Sequence, residues 1–231
     1  MSAPETDHDG ELPWSHFIRR QGGPAEAWVR EYERHQELHA LQFRALLSMR
    51  RQRLEEGRRQ LAEYEARLDR AAARGTSLRF VLERYLHSVL GYYHYCREEW
   101  EAAEATMERA ERAAIAAIEV DGFLLTQANS CYEFRLQKAR IARNAERWDA
   151  MFRHLESVRA MAAGEAPLCV LGDGTVIGYE TLVRLYRSLG RLDRRERIVV
   201  DRVATAESRL LLLDGFVRRI LAFPEVGIQY P

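Results

Sequence analysis

The chain has few of the residues on which disulfide frameworks, zinc sites and membrane spans depend. Its three cysteines, Cys96, Cys131 and Cys169, are an odd number at wide spacing without a CxxC pair, which argues against a disulfide framework and a zinc site. No stretch approaches the ~18 consecutive apolar residues of a membrane helix, and residues 1–11 contain no apolar segment typical of a signal peptide. We therefore expect a cytoplasmic protein that is neither exported nor inserted into a membrane.

An excess of one charge is also missing. Lysine plus arginine and aspartate plus glutamate both number 35, so the net charge gives no general attraction to nucleic acid or to an anionic membrane. Lys138 is the only lysine, and the other basic residues are arginines. Any recognition through charge must therefore be local.

Sequence motifs of covalent and phosphate chemistry do not occur. The chain contains no GxSxG, GxxxxGK[ST] or HExxH pattern and no cysteine in a local catalytic signature. These absences favour a binding protein that is not an enzyme and that uses no cofactor.

Proline and glycine are scarce where the first long helical segment is expected. Between Ala25 and Arg74 there is no proline and one glycine, Gly57, in a composition typical of α-helix. An unbroken helix there would be roughly 75 Å long. One long helix and a hairpin with a turn near residues 51–53 both fit the pattern.

Turn residues divide the rest of the chain into helical pairs. We predict helices over the ranges 77–97, 98–118, 124–143, 148–163, 179–189, 192–204 and a final stretch to residue 222. The segment 164–178 is a predicted loop with a small β-hairpin around Asp173. The predicted organisation is all-α, with a flexible N-terminal arm (1–23), one helical-repeat domain (24–222) and a C-terminal tail (223–231).

Apolar residues that follow turns recur at a nearly constant interval. These turn markers are Leu54, Trp100, Trp148 and Leu192, which lie 46, 48 and 44 positions apart, within the range of helix-pair repeats. We expect the two tryptophans and Ala103 to pack between helices. Trp148→Ala would then reduce the free energy of unfolding by about 3 to 5 kcal/mol.

The second hairpin has the residue order of a known repeat. A leucine-glycine pair is followed by a large apolar residue after the turn, a small alanine, a large apolar residue and a final alanine: Leu90-Gly91, Trp100, Ala103, Met107 and Ala110. This order resembles that of the tetratricopeptide repeat in its longer-helix variants. The resemblance covers roughly residues 30–203 and implies tandem antiparallel hairpins stacked as a short right-handed solenoid, with an interaction, scaffold or regulatory function.

In the tetratricopeptide family the first helix of each hairpin lines a concave groove. Side chains eight and five positions before each turn marker would point into it, together with one tyrosine a further seven positions back. The resemblance therefore implies that the partner-binding residues include Tyr85, Tyr92, Tyr95, Arg140, Arg143, Arg184 and Arg187. Aromatic and guanidinium side chains favour an acidic peptide or protein partner.

Self-association is an alternative function. Leu47, Leu54, Leu61 and Leu68 recur every seven positions, so a long N-terminal helix could pair two copies of the chain as a homodimer. The same ridge could instead pack on the second hairpin of its own chain.

A metal site in a helical bundle is the least favoured function. Glu31, His35 and His39 lie on one face of a helix, a geometry that can bind a divalent ion. The paired ExxH motifs of di-iron bundles are missing, and such a face is usually solvated, so we predict no metal.

Overall fold

The computed structural model describes residues 13–192 and 194–222, and most of these residues are helical. Eleven α-helices occur in these two ranges: Pro13–Arg19 (α1), Gly23–Glu33 (α2), Gln36–Arg50 (α3), Leu54–Ala71 (α4), Ser77–Cys96 (α5), Trp100–Val120 (α6), Asn129–Asn144 (α7), Trp148–Ala163 (α8), Tyr179–Ser188 (α9), Arg194–Ala204 (α10) and Ala206–Ala222 (α11). A 3-10 helix, Gly122–Ala128, precedes α7. Two short antiparallel strands, Cys169–Val170 (β1) and Val176–Ile177 (β2), form the predicted hairpin around Asp173. The all-α class is confirmed, and no described helix has the length and apolar character to cross a membrane.

The helix-rich stretch before residue 75 is a hairpin rather than one long helix. The chain turns between α3 and α4 at residues 51–53, and it bends once more between α2 and α3. Helix α3 packs on α4, as α5 packs on α6 and α7 on α8. The described chain is therefore a series of helical hairpins.

The turns inside these hairpins share one geometry. The residue two positions before the marker has a left-handed backbone in three of them, at Gln52, Glu98 and Glu146, with φ of 63°, 60° and 57°. The next amide donates to a carbonyl five residues earlier at 2.8 to 3.0 Å, the hydrogen bond that ends a helix in a Schellman motif. Gly190, at the same position before Leu192, has φ of 78°. The constant interval between turn markers thus corresponds to a repeated helix-ending turn.

Two helices approach closely at a glycine in each of the first two hairpins. A Cβ atom at Gly57 would lie 2.6 Å from Cγ of Met49 and 3.0 Å from the carbonyl oxygen of Ala45. One at Gly91 would lie 2.5 Å from Cε of Met107. At Gly57 only a residue without a side chain allows α3 and α4 to pack at this distance, whereas at Gly91 the end of the flexible Met107 side chain would have to move.

The leucine ridge that suggested self-association is used inside the chain. Leu61 and Leu68 are 0% and 1% exposed, and they belong to the apolar core shared by α2, α3, α4 and α5. Leu54 packs against the same core. These three leucines of the ridge therefore pack within their own chain, as the second interpretation of this pattern expected, while Leu47 is half-buried.

The N-terminal arm differs from its prediction. Residues 13–19 form α1, whose Phe17 and Ile18 are fully buried, and only residues 1–12 of the predicted arm lie outside the described residues. Burial of these two apolar side chains favours a helix in a segment that composition alone marks as a loop. The predicted tail, 223–231, also lies outside the described residues.

Trp148 does not pack as expected. Its side chain is 50% exposed, whereas Ala103 is fully buried and Trp100 is half-buried. The apolar contact on α8 comes instead from Met151, three positions later, which is 0% exposed. The expectation of a large loss on Trp148→Ala is therefore wrong, because little cavity would form.

We now expect Met151→Ala to lower the free energy of unfolding by about 2 to 5 kcal/mol, because it opens a cavity in the core. Trp148→Ala should lower it by about 1 kcal/mol or less, as is usual for an accessible side chain. Urea unfolding of the two variants measures both values. A larger loss for Trp148→Ala than for Met151→Ala would contradict this assignment of the core.

The close approach of α3 and α4 at Gly57 leads to a second prediction, which concerns the stability of Gly57→Ala. Alanine in a helix interior is usually about 1 kcal/mol more stable than glycine, but at Gly57 the new methyl group overlaps Met49 and a backbone carbonyl. We expect Gly57→Ala to be destabilising by about 1 kcal/mol or more in urea unfolding. The matched control is Gly215→Ala in α11, where no atom lies within 4 Å of the added carbon and stabilisation is expected. Equal stabilisation by both substitutions would disprove the close approach.

Candidate binding site

A cavity of about 420 Å³ lies among the first helices of the hairpins. Helices α3, α5, α7 and α9 contribute to its walls, and α1, α10 and the 3-10 helix complete them. Its volume falls in the range of roughly 300 to 1,000 Å³ that is usual for ligand sites. We refer to this space as the central cavity.

Much of the wall is apolar or aromatic. Leu46 comes from α3, Val89 from α5, Phe134 from α7 and Tyr186 from α9. Phe17 of α1 packs against Tyr186, with 4.6 Å between the ring centroids. Helices from both ends of the chain therefore meet at this wall.

Arg84 is a fixed positive charge in the wall. Its side chain is 8% exposed, its Nη1 donates to Oγ of Ser130 at 2.5 Å, and its guanidinium lies 4.0 Å from the ring centroid of Tyr85. Its Nε is buried without a hydrogen-bond partner. The hydroxyl and the aromatic ring hold the guanidinium in place and leave one donor unused.

Glu133 is the accessible charge of the central cavity. Its side chain lines the cavity and is exposed there, and Nδ2 of Asn129 donates to its Oε1 at 3.2 Å. Asn129 is itself oriented by the hydroxyl of Tyr179, which donates to Oδ1 at 3.2 Å. Burial by the surrounding protein raises the pKa of the Glu133 carboxyl group, while Arg84 and the hydrogen bond from Asn129 lower it.

Uncharged polar groups complete the lining. Gln42, Ser88 and Gln137 are half-buried side chains of α3, α5 and α7 at the cavity. Oγ1 of Thr126 and Oε1 of Gln127 are buried without a hydrogen-bond partner. Because buried polar atoms are normally paired, these groups offer hydrogen-bonding capacity to a bound molecule.

Among the predicted partner-binding residues, Tyr85 lines the central cavity. Tyr92 is 3% exposed and stacks on Tyr95, with 6.1 Å between the ring centroids. Asn144 donates a hydrogen bond to the hydroxyl of Tyr95. Tyr95 therefore connects α5 to α7, Tyr92 is buried beside it, and neither lines the cavity.

The predicted arginines divide into two pairs. Arg140 and Arg143 are half-buried on α7 close to Tyr95, and their positive charges lower the pKa of its hydroxyl, which burial raises. Arg184 and Arg187 are exposed on α9, on either side of the cavity residue Tyr186 in sequence. None of the four lines the central cavity.

On α5 and α7, positions eight and five before the turn marker lie too close to the turn to reach the cavity. The cavity instead faces parts of α5 and α7 that lie further from the turns, so Arg84 and Glu133 were missed. A signal for Glu133 was present, since Tyr85 and Glu133 each stand 15 positions before their turn markers, Trp100 and Trp148. An acidic residue at the position equivalent to a groove tyrosine could have been predicted as part of the site.

The histidine pair considered for metal binding makes other contacts. Nε2 of His35 lies 3.5 Å from Oε1 of Glu31, while Nδ1 of His39 lies 3.3 Å from the hydroxyl of Tyr32. Within residues 13–192 and 194–222, no group of three or more His, Cys, Asp and Glu side chains is arranged to hold a metal ion.

The chain was compared with protein-family models, with curated proteins and with solved structures, and none of them matches it. The resemblance to the tetratricopeptide repeat therefore stays a prediction that depends on this chain's own residues. The function has to be inferred from the geometry of the central cavity.

His39 packs behind the cavity wall, and its burial predicts how the free energy of unfolding depends on pH. Its ring lies 5.7 Å from that of Tyr85, and burial, with the positive charges of His35 and Arg84, lowers its pKa from 6.5 to about 4. Because the folded pKa lies below the unfolded one, this histidine's contribution to stability is present above pH 6.5 and is lost as the pH falls towards 4. We expect a loss of up to ~3 kcal/mol in the free energy of unfolding across this window.

Urea unfolding at pH 7 and at pH 4.5 measures this loss. His39→Phe keeps a ring in the same space and removes the titrating group, so its stability should fall less between the two pH values than that of the unsubstituted protein. The carboxylates titrate alike in both proteins, so the difference isolates His39. Equal losses would mean that His39 is not buried as described.

Proposed function

We propose that this chain is a non-enzymatic interaction module of the cytoplasm that binds a peptide or a segment of another protein. One observation carries the proposal: the first helix of each of four successive hairpins contributes to a single cavity of ligand-binding size. A partner that lies across these helices would place one of its side chains in the central cavity.

We also propose that the hairpins are tetratricopeptide-like repeats stacked as a short right-handed solenoid. The repeated turn geometry before Leu54, Trp100 and Trp148 supports this arrangement. So do the small, buried Gly57 and Ala103, each three positions after its marker. In a stacked repeat, equivalent helices lie side by side, which would account for their common cavity.

The character of the lining favours binding over catalysis. Arg84 and Glu133 are the two charged side chains described in the cavity, and arginine does not exchange protons in the physiological range. General acid–base chemistry usually requires titrating groups in contact with a nucleophile or with each other. A mostly apolar wall with a few oriented polar groups is typical of a recognition site.

An acidic segment of the partner would interact with arginine side chains outside the cavity. Arg184 and Arg187 are exposed and flank Tyr186 in sequence, and Arg140 and Arg143 add positive charge on α7. Each exposed ion pair is worth only about 0.2 to 1 kcal/mol and is screened by salt. These arginines would therefore adjust affinity, while the central cavity would provide specificity.

Selection of a displayed random peptide library on the immobilised protein tests this function. We expect related peptide sequences to be enriched, and Ser88→Phe to reduce their affinity by about tenfold or more, because the new ring would occupy the cavity. Dissociation constants of synthetic peptides, measured by isothermal titration calorimetry, provide the comparison.

Ser188→Phe is the matched control, since it adds the same ring at an exposed position of α9 that does not line the cavity. Its affinity should equal that of the unsubstituted protein, and circular dichroism should show both variants folded. Failure to enrich any related peptides, or full affinity in Ser88→Phe, would refute the proposed function.

A further inference from the structure

We infer that the group that enters the central cavity is an ammonium group, from a lysine side chain or a free peptide N-terminus, and that Glu133 is its partner. The inference rests on the proposed function and specifies the chemistry of the recognised group. It differs from the acidic partner expected from the sequence, because it concerns the interior of the site and not the arginines around it.

The two charges of the cavity are not equally available. Arg84 is nearly buried and already contacts Ser130 and the ring of Tyr85. Glu133 is exposed to the cavity, and its described hydrogen bond comes from Asn129 to one carboxylate oxygen. A ligand therefore meets an accessible carboxylate beside a guanidinium that is already engaged.

No described positively charged side chain forms an ion pair with the Glu133 carboxylate, although Arg84 lies near enough to influence its pKa. A water-accessible carboxylate is hydrated until a ligand enters, and a ligand that displaces this water without supplying a positive charge leaves the carboxylate unpaired, which is costly. An ammonium group would supply both the charge and up to three N–H donors.

The remaining lining suits the carbon chain that carries such a group. Tyr85, Phe134 and Tyr186 provide aromatic surface around the cavity, against which methylene groups pack and towards which a cation is attracted. Gln42 offers an amide oxygen to the N–H groups that Glu133 does not reach. The amide oxygen of Gln137 already accepts from Nη1 of Arg140 at 3.5 Å. A carboxylate in the same place would instead meet the negative charge of Glu133.

Three small probes of nearly equal shape test the inference directly. We would titrate the protein by NMR with 2-phenylethylammonium, 2-phenylethanol and 3-phenylpropionate, which are cationic, neutral and anionic. The ammonium probe should bind at least about tenfold more tightly than either of the others. This comparison uses the unsubstituted protein and does not depend on how a variant folds.

Glu133→Gln keeps the shape of the side chain and removes its charge. It should abolish the preference for the ammonium probe and leave the affinity for the alcohol within about twofold. Glu101→Gln, an exposed position on α6 outside the cavity, is the matched control and should keep the full preference. Tighter binding of the carboxylate probe, or an ammonium preference that survives Glu133→Gln, would overturn the inference.

The peptide selection separates this inference from the proposed function. Peptides whose binding is sensitive to Ser88→Phe should share a lysine or require a free N-terminus, and acetylation of the N-terminus distinguishes these two sources. If such peptides bind but carry no essential ammonium group, the interaction module stands and the inference fails. If no peptide binds through the cavity, both fail.

Discussion

The contact between Phe17 and Tyr186 joins α1 to α9 at the wall of the central cavity. Arg20 strengthens the same junction, because its Nη2 donates to the carbonyl oxygens of Leu189 and Arg191 at 2.9 and 2.8 Å and its Nη1 pairs with the buried Glu196. These contacts join α1 to the turn between α9 and α10, 169 positions along the chain. Burial of one large aromatic side chain contributes about 2 to 3 kcal/mol, and both rings also line the central cavity.

The cavity concentrates polar groups that the rest of the fold would normally pair. Nε of Arg84, Oγ1 of Thr126 and Oε1 of Gln127 are all buried without a partner, and the carboxylate of Glu133 is only partly satisfied. Such groups reduce the stability of the unliganded protein. Retaining several of them at one place is the usual cost of a binding site, and it favours a ligand that brings both donors and an apolar body.

Local sequence rules predicted the hairpins well, and they did so for a physical reason. A helix ends where a residue takes a left-handed backbone and the next amide caps the last turn, and this depends on neighbours in the chain only. The constant interval of the turn markers and the strand pair around Asp173 followed from such signals. The choice between one long helix and a hairpin with a turn near residues 51–53 did not. These local signals do not determine which side chains fill the space between helices. Trp148 was expected there and is half exposed, whereas Met151 is fully buried.

The sequence by itself determined the all-α class and the order and turns of the hairpins after residue 75, because helix propensity and capping act within a few residues. It did not determine that residues 13–19 form a helix, since that helix depends on burial against α2, the 3-10 helix and Tyr186 of α9. Tertiary structure alone decided which stripe of α5 and α7 faces the cavity, and with it the roles of Arg84 and Glu133. The reason is that a side chain's accessibility and pKa are set by every helix packed around it, and those helices come from opposite ends of the chain.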